Sequence, residues 1–281
     1  MHGNDFSTSF DDPKGCGGGA GLPLIALLGG SFNPPHIGHF RIALEVLEAL
    51  RPELLLFIPS AVPPHKRTDA LLPFALRVRM LQAVLRGLPG MEVCTIENER
   101  PGPSYTVDTL TALAERYPGY RPAFVMGGED LSLLPSWDRW EQVTKLAELV
   151  VLPRGKADGE LIVGTIQAQW PGACATPPPL AGEKPKHFAG ACGAQAAGHG
   201  ENADSAAGGG RNVNTDGSIL PFSLPGGGRI LFLDRPRLDV SSSTLRERWL
   251  RGDRLDFLLP QAVLDLLKEN EELASALWRK E

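Results

Sequence analysis

Short apolar runs recur along the chain and are separated by longer segments with helical periodicity. The runs are continuously apolar rather than alternating with polar residues, which is typical of strands in a parallel sheet that helices cover on both faces. We therefore predict strands at residues 24–28, 54–58, 92–96, 122–126, 149–152 and 229–233.

Between these runs, apolar residues return every three or four positions. In residues 39–50, for example, Phe40, Ala43 and Leu47 fall on one helical face. Strands that alternate with helices predict βαβ units, and hence a Rossmann-like α/β fold with a doubly wound parallel sheet and helices on both faces. Ligands of such sheets bind beyond the carboxyl ends of the strands. The predicted helices lie at 39–50, 74–85, 106–117, 243–251 and 260–270.

Two segments depart from this pattern. Residues 1–21 are acidic and rich in glycine, and we predict a disordered leader there. Residues 155–228 are rich in Gly, Ala and Pro and contain few large apolar side chains to offset the entropy of ordering. We predict that they form a mostly disordered, low-complexity insertion, and that residues 22–281 form a single domain interrupted by it.

Composition narrows the class of protein. The chain has 281 residues, is 42% hydrophobic and carries a formal net charge of -5, which is typical of a globular protein and disfavours non-specific nucleic-acid binding. Its four cysteines are widely spaced, which disfavours a zinc site or a disulfide framework. No apolar run approaches the roughly 18 residues of a membrane span. We expect a cytoplasmic protein without a membrane or nucleic-acid partner; the oligomeric state is not predicted.

The strongest chemical signal directly follows the first predicted strand. Residues 29–39 have the sequence GGSFNPPHIGH and lead into the first helix. Glycine permits close backbone approach, and the N–H groups and dipole of a helix N-terminus favour phosphate. His36 and His39 are three positions apart, so both rings can face one ligand and donate to its oxygens. The run predicts a phosphate site, where protonated rings would be the better donors.

Other interpretations of the two histidines are a metal site, a helix cap or a place in the core. No third metal ligand accompanies them in the sequence, and a concentration of His, Gly and Pro at a strand–helix junction favours phosphate. The Walker A and intact G-x-G-x-x-G patterns do not follow the first strand.

A second candidate anion site lies near the C-terminus. Residues 239–246 have the sequence DVSSSTLR, in which the serines are suited to cap a helix and Arg246 follows one turn later. Taken alone, this run is more typical of a plain N-cap with a surface arginine. Paired with the histidine motif, it favours a second set of phosphate donors.

Both runs resemble known motifs. Residues 30–39 resemble the [ST]-F-D-P-x-H-x-G-H signature of the nucleotidyltransferase superfamily, and residues 239–246 resemble its I-S-S-T-x-I-R motif. Within that superfamily the chain resembles the bacterial nicotinate-nucleotide adenylyltransferases over residues 24–154 and 229–267. One departure is Asn33, where the family usually has Asp; asparagine keeps the size and the acceptor oxygen but loses the charge.

The resemblance implies transfer of the adenylyl group of ATP to nicotinic acid mononucleotide, giving nicotinic acid adenine dinucleotide and pyrophosphate in NAD biosynthesis. Mg²⁺ would be carried by the ATP phosphates, with no metal ligand in the protein. The implied catalytic residues are His36, His39 and Arg246. The implied ATP-binding residues are Gly29, Gly30, Ser31, Phe32, Asn33, His36, His39, Asp130, Ser241, Ser243 and Arg246.

The acceptor side is predicted from loops that follow other strands. His65 and Lys66 are suited to the mononucleotide phosphate, and residues 104–106 resemble the family's S-Y-T loop. Trp137 offers a flat face for a pyridine ring, although without the family pattern a place in the core is equally plausible. Ser136 is the predicted N-cap of the helix that follows. The predicted acceptor-binding residues are Ser60, His65, Lys66, Tyr105, Thr106 and Trp137.

Three alternatives stay open. The acceptor could instead be nicotinamide mononucleotide or phosphopantetheine, although the S-Y-T and P-S-W elements favour a pyridine nucleotide. The chain could also be a non-catalytic nucleotide sensor. Both phosphate motifs retain their expected donors, which disfavours a sensor.

Overall fold

The structure is a computed structural model that describes residues 22–64, 69–175, 219–236 and 238–280. The predicted leader at 1–21 lies outside the described residues. The strands are β1 (Leu24–Gly30), β2 (Leu54–Pro59), β3 (Met91–Val93), β4 (Arg121–Gly127), β5 (Glu148–Leu152), β6 (Cys174–Ala175), β7 (Ile219–Ser223) and β8 (Arg229–Leu233). The α-helices are α1 (Ile37–Leu50), α2 (Phe74–Leu85), α3 (Thr106–Arg116), α4 (Gly128–Leu133), α5 (Trp140–Leu146), α6 (Gly159–Gln169), α7 (Ser242–Arg251), α8 (Gln261–Glu269) and α9 (Glu271–Trp278).

The strands form one sheet in the order β3-β2-β1-β4-β5-β8-β7-β6. The pairings from β3 to β8 are parallel, whereas β7 and β6 add an antiparallel edge. The strand order reverses at β1, which pairs with β2 on one side and β4 on the other. The carboxyl ends of strands at such a reversal diverge and leave a crevice for ligands. The predicted doubly wound α/β fold is confirmed.

The central strands are continuously apolar because both faces of the sheet are covered. In β1, Ile25 and Leu27 belong to one buried cluster, while Ala26 and Leu28 belong to the other. Side chains alternate across a strand, so burial on both faces requires an apolar residue at every position. The sheet core thus explains why the strand predictions succeed at the centre of the sheet.

The C-terminal helices form a third apolar cluster beside α2. It joins Leu76 and Met80 of α2 to Leu245 of α7 and Val263 of α8. Trp249 lies at its margin and donates from Nε1 to Ser275 Oγ at 3.0 Å. This packing holds the N-terminus of α7, and with it the serine run, near the end of β1.

The predicted insertion at 155–228 is wrong at both of its ends. Helix α6 lies there, capped by Asp158, whose Oδ1 accepts a hydrogen bond from Leu161 N at 3.0 Å. Ile162 and Ile166 of this helix and Phe222 of β7 are fully buried in the sheet cluster. Averaging the composition over the whole segment conceals these two short apolar patterns. Residues 176–218 lie outside the described residues, and one domain over 22–281 stays a prediction.

The third strand is also shorter than predicted. β3 ends at Val93, and a turn of 3₁₀-helix, Ile96–Glu99, begins at the last residue of the predicted strand. In this turn Ile96 still faces the core, which is why the apolar pattern continues beyond the ladder. Among the described residues, no helix is long and apolar enough to cross a membrane.

Candidate active site

A cleft of about 670 Å³ opens at the carboxyl ends of β1, β2 and β4. Its volume falls in the range of small-molecule sites, about 300–1,000 Å³. It brings together residues of both phosphate motifs and of the predicted acceptor loops. The predicted site residues that line it are Gly29, Gly30, Ser31, Asn33, His39, Ser60, Tyr105, Thr106, Asp130, Trp137, Ser241, Ser243 and Arg246.

Two of the remaining predicted residues, Phe32 and His36, do not line this cleft. Phe32 is completely buried, with its ring centroid 4.8 Å from that of His39 and 5.9 Å from that of Phe57. It therefore packs beneath the histidine loop, and its contact with ATP stays a prediction. His65 and Lys66 lie outside the described residues.

His39 lies in the first turn of α1, with its ring at the wall of the cleft. Its Nδ1 accepts a hydrogen bond from His36 N at 3.2 Å. Because Nδ1 acts as the acceptor, the neutral ring carries its proton on Nε2. His39 is thereby held in the tautomer that donates from Nε2.

His36 occupies a different environment. It is only 1% exposed, and it lines a smaller hollow of about 30 Å³ beside the main cleft. Neither of its ring nitrogens has a hydrogen-bond partner among the described residues. Burial, together with the positive charge of Arg154, lowers the pKa of His36 to about 3. The ring is therefore neutral at pH 7 and lacks the additional donor that protonation would supply.

Gly38 is required by the packing of His36. A Cβ at position 38 would lie 3.0 Å from two atoms of the His36 ring and 3.4 Å from the carbonyl oxygen of Val240. The glycine of the motif therefore allows the start of α1 to approach both the histidine ring and the segment that precedes α7.

Two buried side chains fasten the histidine loop to residues 70–72. Asn33 donates from Nδ2 to Ala70 O and accepts at Oδ1 from Leu72 N, both at 3.0 Å. Arg77 donates from Nε to Leu72 O at 3.0 Å and from Nη1 to Ser31 O at 2.7 Å. Burial lowers the pKa of Arg77 to about 10, so it remains charged at pH 7. The side chain of Asn33 thus positions a loop, and its contact with ATP stays a prediction.

Arg246 connects the two phosphate motifs. It is buried, and it donates from Nη1 to Asn33 O at 2.9 Å and from Nη2 to Ser243 Oγ at 3.0 Å. Ser242 adds a hydrogen bond from Oγ to Pro34 O at 3.1 Å. Ser241 caps α7 by accepting from Thr244 N at 3.2 Å, as the sequence predicts. The N-terminus of α7 therefore lies beside that of α1.

The acceptor loops are joined by Ser104 and Glu97. Ser104 Oγ accepts from Ala61 N at 3.2 Å and from Val62 N at 3.1 Å. Glu97 accepts from Thr109 Oγ1 at 2.9 Å and from Ala61 N at 3.4 Å. Burial raises the pKa of Glu97, and its hydrogen bonds with Ser104 and Thr109 oppose that effect. These contacts hold the wall of the cleft that contains Tyr105 and Thr106.

The predicted helix start at Ser136 is wrong. Residues Leu134–Ser136 form a turn of 3₁₀-helix, Trp137 N donates to Leu134 O at 2.9 Å, and Ser136 Oγ donates to Leu133 O at 2.6 Å. Pro135 near the start of this turn favours the tight geometry. Trp137 follows in extended conformation, half-buried, with its ring edge-to-face against Phe124 at 6.2 Å.

A comparison with known proteins agrees with this geometry. The model of the cytidylyltransferase-like family matches residues 27–248, which include both phosphate motifs. The chain belongs to this family.

Two bacterial proteins are similar to this chain over nearly their full length. A protein of Trichlorobacter lovleyi named "probable nicotinate-nucleotide adenylyltransferase" is 34% identical, covering 85% of this chain and 93% of that protein. A protein of Maridesulfovibrio salexigens with the same name is 28% identical, covering 91% and 99%. The predicted resemblance to bacterial nicotinate-nucleotide adenylyltransferases is confirmed.

A solved structure supports the fold. Plasmodium falciparum nicotinic acid mononucleotide adenylyltransferase complexed with NaAD has a TM-score of 0.56 and 16% sequence identity to this chain. The match covers 89% of this chain and 96% of the other. At this identity the likeness concerns the fold alone.

Two residues that line the cleft, Glu97 and Arg154, were not predicted from the sequence. Glu97 was assigned no role because a lone acid after a strand has many structural uses. Arg154 lines both the main cleft and the hollow beside His36. It directly follows Leu152 and Pro153 at the carboxyl end of β5, and that position in an α/β sheet was the signal that could have identified it.

Proposed function

We propose that this enzyme transfers the adenylyl group of ATP to nicotinic acid mononucleotide, giving nicotinic acid adenine dinucleotide, a precursor of NAD, and pyrophosphate. The observation that carries the proposal is the bond between Arg246 and Asn33, which brings both phosphate motifs to one wall of the cleft. Tyr105, Thr106 and Trp137 line the same cleft. The names of the two bacterial relatives support the choice of acceptor.

The reaction needs alignment more than it needs a base. A phosphate monoester has a second pKa near 6, so the acceptor phosphate is already largely a dianion at pH 7. One of its oxygens attacks the α-phosphorus of ATP, the bond from that phosphorus to the β-phosphate bridge breaks, and pyrophosphate leaves. Holding the reactants in line contributes up to roughly 7–11 kcal/mol to lowering the barrier.

The phosphate wall supplies fixed donors for the charge that accumulates. His39 donates from Nε2, Arg246 contributes its guanidinium charge, and the helix dipoles at the N-termini of α1 and α7 favour the anion. A preorganised donor of this kind lowers the barrier by about 3 kcal/mol. Its orientation is fixed before substrate binds, because His36, Ser243 and Asn33 already hold these groups in place.

The opposite wall is suited to a pyridine nucleotide. The contact with Phe124 fixes the indole of Trp137 in the wall, where it can stack on a flat ring. Thr106 begins α3, and the N–H groups of Thr106 and Val107 have no partner among the described residues, whereas Tyr105 N donates to Pro103 O. We propose that these N–H groups receive the carboxylate of the pyridine ring.

Mg²⁺ would enter with ATP. Among the described residues, no three His, Cys, Asp or Glu side chains gather into a metal-binding group, so the chain there offers no cage of its own. Magnesium typically keeps several waters and binds phosphate oxygens, where it would neutralise part of the ATP charge.

The decisive experiment is an assay of acceptors. The purified protein is incubated with ATP and Mg²⁺ and with either nicotinic acid mononucleotide, nicotinamide mononucleotide or phosphopantetheine, and the products are identified by mass. We expect nicotinic acid adenine dinucleotide and pyrophosphate from the first mixture. A dominant product from either other acceptor would reassign the substrate, whereas ATP binding without turnover would identify a sensor.

A further inference from the structure

We infer that Arg154 is a further phosphate-binding residue, which contacts the β- and γ-phosphates of ATP that leave as pyrophosphate. The inference rests on the proposed function. Arg154 lies just beyond the carboxyl end of β5, and its side chain lines both the main cleft and the hollow beside His36. Its side chain therefore lines the same hollow as His36 and His39.

The charges around the hollow distinguish Arg154 from the other arginines there. Arg41 and Arg235 both form ion pairs with the buried carboxylate of Glu45, the second with Nε 2.8 Å from Oε2. The guanidinium of Arg154 forms no hydrogen bond or ion pair with any residue in the described part of the chain. It is thus not ion-paired with any carboxylate of the described residues and can be directed to an anionic ligand.

Among the described residues, Arg154 adds a cation to the phosphate wall, where Arg246 also holds the loop of Asn33 in place and His36 is neutral. Arg246 already donates to Asn33 O and Ser243 Oγ. His36 is neutral and buried beside Arg154, with neither ring nitrogen bonded to a described residue. A guanidinium next to an imidazole donor forms a complementary pair for phosphate oxygens, since guanidinium binds phosphate in a bidentate manner.

The backbone around β4 accommodates the side chain. A Cβ at Gly127 would lie 3.0 Å from Cδ of Arg154 and 3.1 Å from its Cβ, and 3.4 Å from Oδ2 of Asp130. The stem of Arg154 therefore packs across a glycine at the end of β4. This contact fixes the direction of the side chain along the edge where ligands of α/β sheets bind.

The test compares Arg154→Gln and Arg154→Lys with Lys156→Gln. Lys156 is an exposed cation of the same loop that lines neither hollow, so its variant removes an equal charge without removing the contact. Three quantities are measured: kcat/KM for ATP, KM for the acceptor, and the dissociation constant of magnesium pyrophosphate by calorimetry without acceptor. Melting curves identify variants that fail to fold.

We expect Arg154→Gln to lower kcat/KM for ATP by about 10²–10³-fold, as for loss of one fixed donor. Its pyrophosphate dissociation constant should rise at least ~10-fold, which is the size of a charge-assisted hydrogen bond. Arg154→Lys should recover part of both losses, because lysine keeps the charge but cannot bind phosphate in a bidentate manner. In Arg154→Gln the KM for the acceptor should stay within about twofold of wild type. In Lys156→Gln all three measured quantities should stay within about twofold of wild type, as expected for a surface charge.

Unchanged pyrophosphate affinity in a folded Arg154→Gln protein would overturn the inference. Equal losses of kcat/KM and of pyrophosphate affinity in Lys156→Gln would also overturn it, because they would indicate a general effect of positive charge near the cleft. The calorimetric measurement needs no turnover. If wild type makes no dinucleotide but Arg154→Gln still weakens pyrophosphate binding, the proposed function fails and the assignment of Arg154 stands. If wild type is active and pyrophosphate binding does not depend on Arg154, only the assignment fails.

Discussion

Arg246 donates a hydrogen bond from Nη1 to the main-chain carbonyl oxygen of Asn33, 2.9 Å away, although 213 positions separate the two residues in the sequence. The bond links the start of α7 to the loop that precedes α1. A buried hydrogen bond to a charged group contributes about 1.5–3 kcal/mol, so the link also fixes the relative position of the two helix N-termini. Both phosphate motifs therefore depend on one guanidinium.

Replacing this guanidinium should impair catalysis, and it should also lower stability, because a buried hydrogen bond to a charged group is lost. We expect Arg246→Gln to lower kcat by about 10²–10³-fold, because a donor to the transition state is lost and the two N-termini are no longer tied together. Steady-state kinetics with both substrates measures the effect. Arg251→Gln is the matched control, since Arg251 is an exposed residue of the same helix paired with Asp253; turnover near wild type in both proteins would contradict the role of Arg246.

Asn33 allows a test of the amide that replaces the family's usual acid. Asn33→Asp removes the donor to Ala70 O and places a carboxylate oxygen about 3.0 Å from that carbonyl. We expect a loss of about 1–3 kcal/mol in the free energy of unfolding, the cost of an unsatisfied buried group. The acceptor KM should also rise, because Ala70 and Leu71 line the cleft. Urea unfolding measures the change in stability, with the substitution Asn98→Asp at an exposed position as control. Equal stability of Asn33→Asp and wild type would refute the role of Asn33 in holding residues 70–72.

Some of this site could be predicted from local sequence and some could not. Residues 29–39 and 239–246 carry short-range patterns whose chemistry depends on a strand–helix junction, and the structure places both as expected. The clamp formed by Asn33 with Ala70 and Leu72 depends on a contact between distant segments. No periodicity encodes such a contact, so position 33 could be noticed as unusual but not interpreted.

Helix α6 was missed for a different reason. Its apolar positions Ile162 and Ile166 have the i, i+4 spacing of a buried face, but the helix borders a long segment of small and polar residues. Composition measured over that segment describes its majority and hides a helix of this length. Arg154 was missed with it, because the boundary of the supposed insertion was drawn next to this residue.

The buried face of α6 predicts a clear difference between two similar substitutions. Ile166→Ala should lower the free energy of unfolding by about 2–5 kcal/mol, since a completely buried side chain leaves a cavity. Leu161→Ala, in the same helix but 51% exposed, should change it by about 0.5 kcal/mol or less. Urea unfolding distinguishes the two. Equal, small changes in the free energy of unfolding would show that residues 159–169 do not pack as a buried helix, as the composition of the segment predicted.

The buried neutral His36 predicts how stability depends on pH. Its pKa is about 3 in the folded protein and 6.5 in the unfolded chain, so the unfolded chain binds more protons between these values. The stabilisation is complete above pH 6.5 and is lost as pH falls toward 3, with a slope of at most about 1.4 kcal/mol per pH unit from this group.

His36→Gln isolates this contribution. The difference in unfolding free energy between wild type and His36→Gln, measured in urea, should be constant from pH 7.5 to 8.5. Below pH 6.5 the difference should shift steadily against wild type. Parallel stability curves down to pH 4.5 would show that the His36 proton is bound equally in the folded and unfolded states.

Acceptor choice is the last prediction, and it rests on the N-terminus of α3. The sequence placed a helix N-terminus at Ser136, whereas Trp137 N is already bonded to Leu134 O. The N-terminus that does line the cleft is that of α3, at Tyr105 and Thr106. Its N–H groups favour an anion over a group that is itself a donor.

Nicotinic acid mononucleotide and its amide differ only at the group that would meet the N-terminus of α3. A carboxylate accepts from those N–H groups, whereas an amide would direct its NH₂ donors toward them and leave polar groups unpaired. A site built around such a contact can discriminate by 10⁴-fold or more, but an edge of the cleft that stays open to water should discriminate less. We therefore expect kcat/KM to favour the acid by at least ~10²-fold.

Trp137→Ala should raise KM for the acceptor far more than KM for ATP, because stacking is lost on one side of the cleft only. Trp249→Phe, which alters an indole of the C-terminal cluster outside the cleft, is the control and should leave both KM values unchanged. Equal efficiency with the acid and the amide would refute the role of α3 and favour nicotinamide mononucleotide as an equivalent substrate.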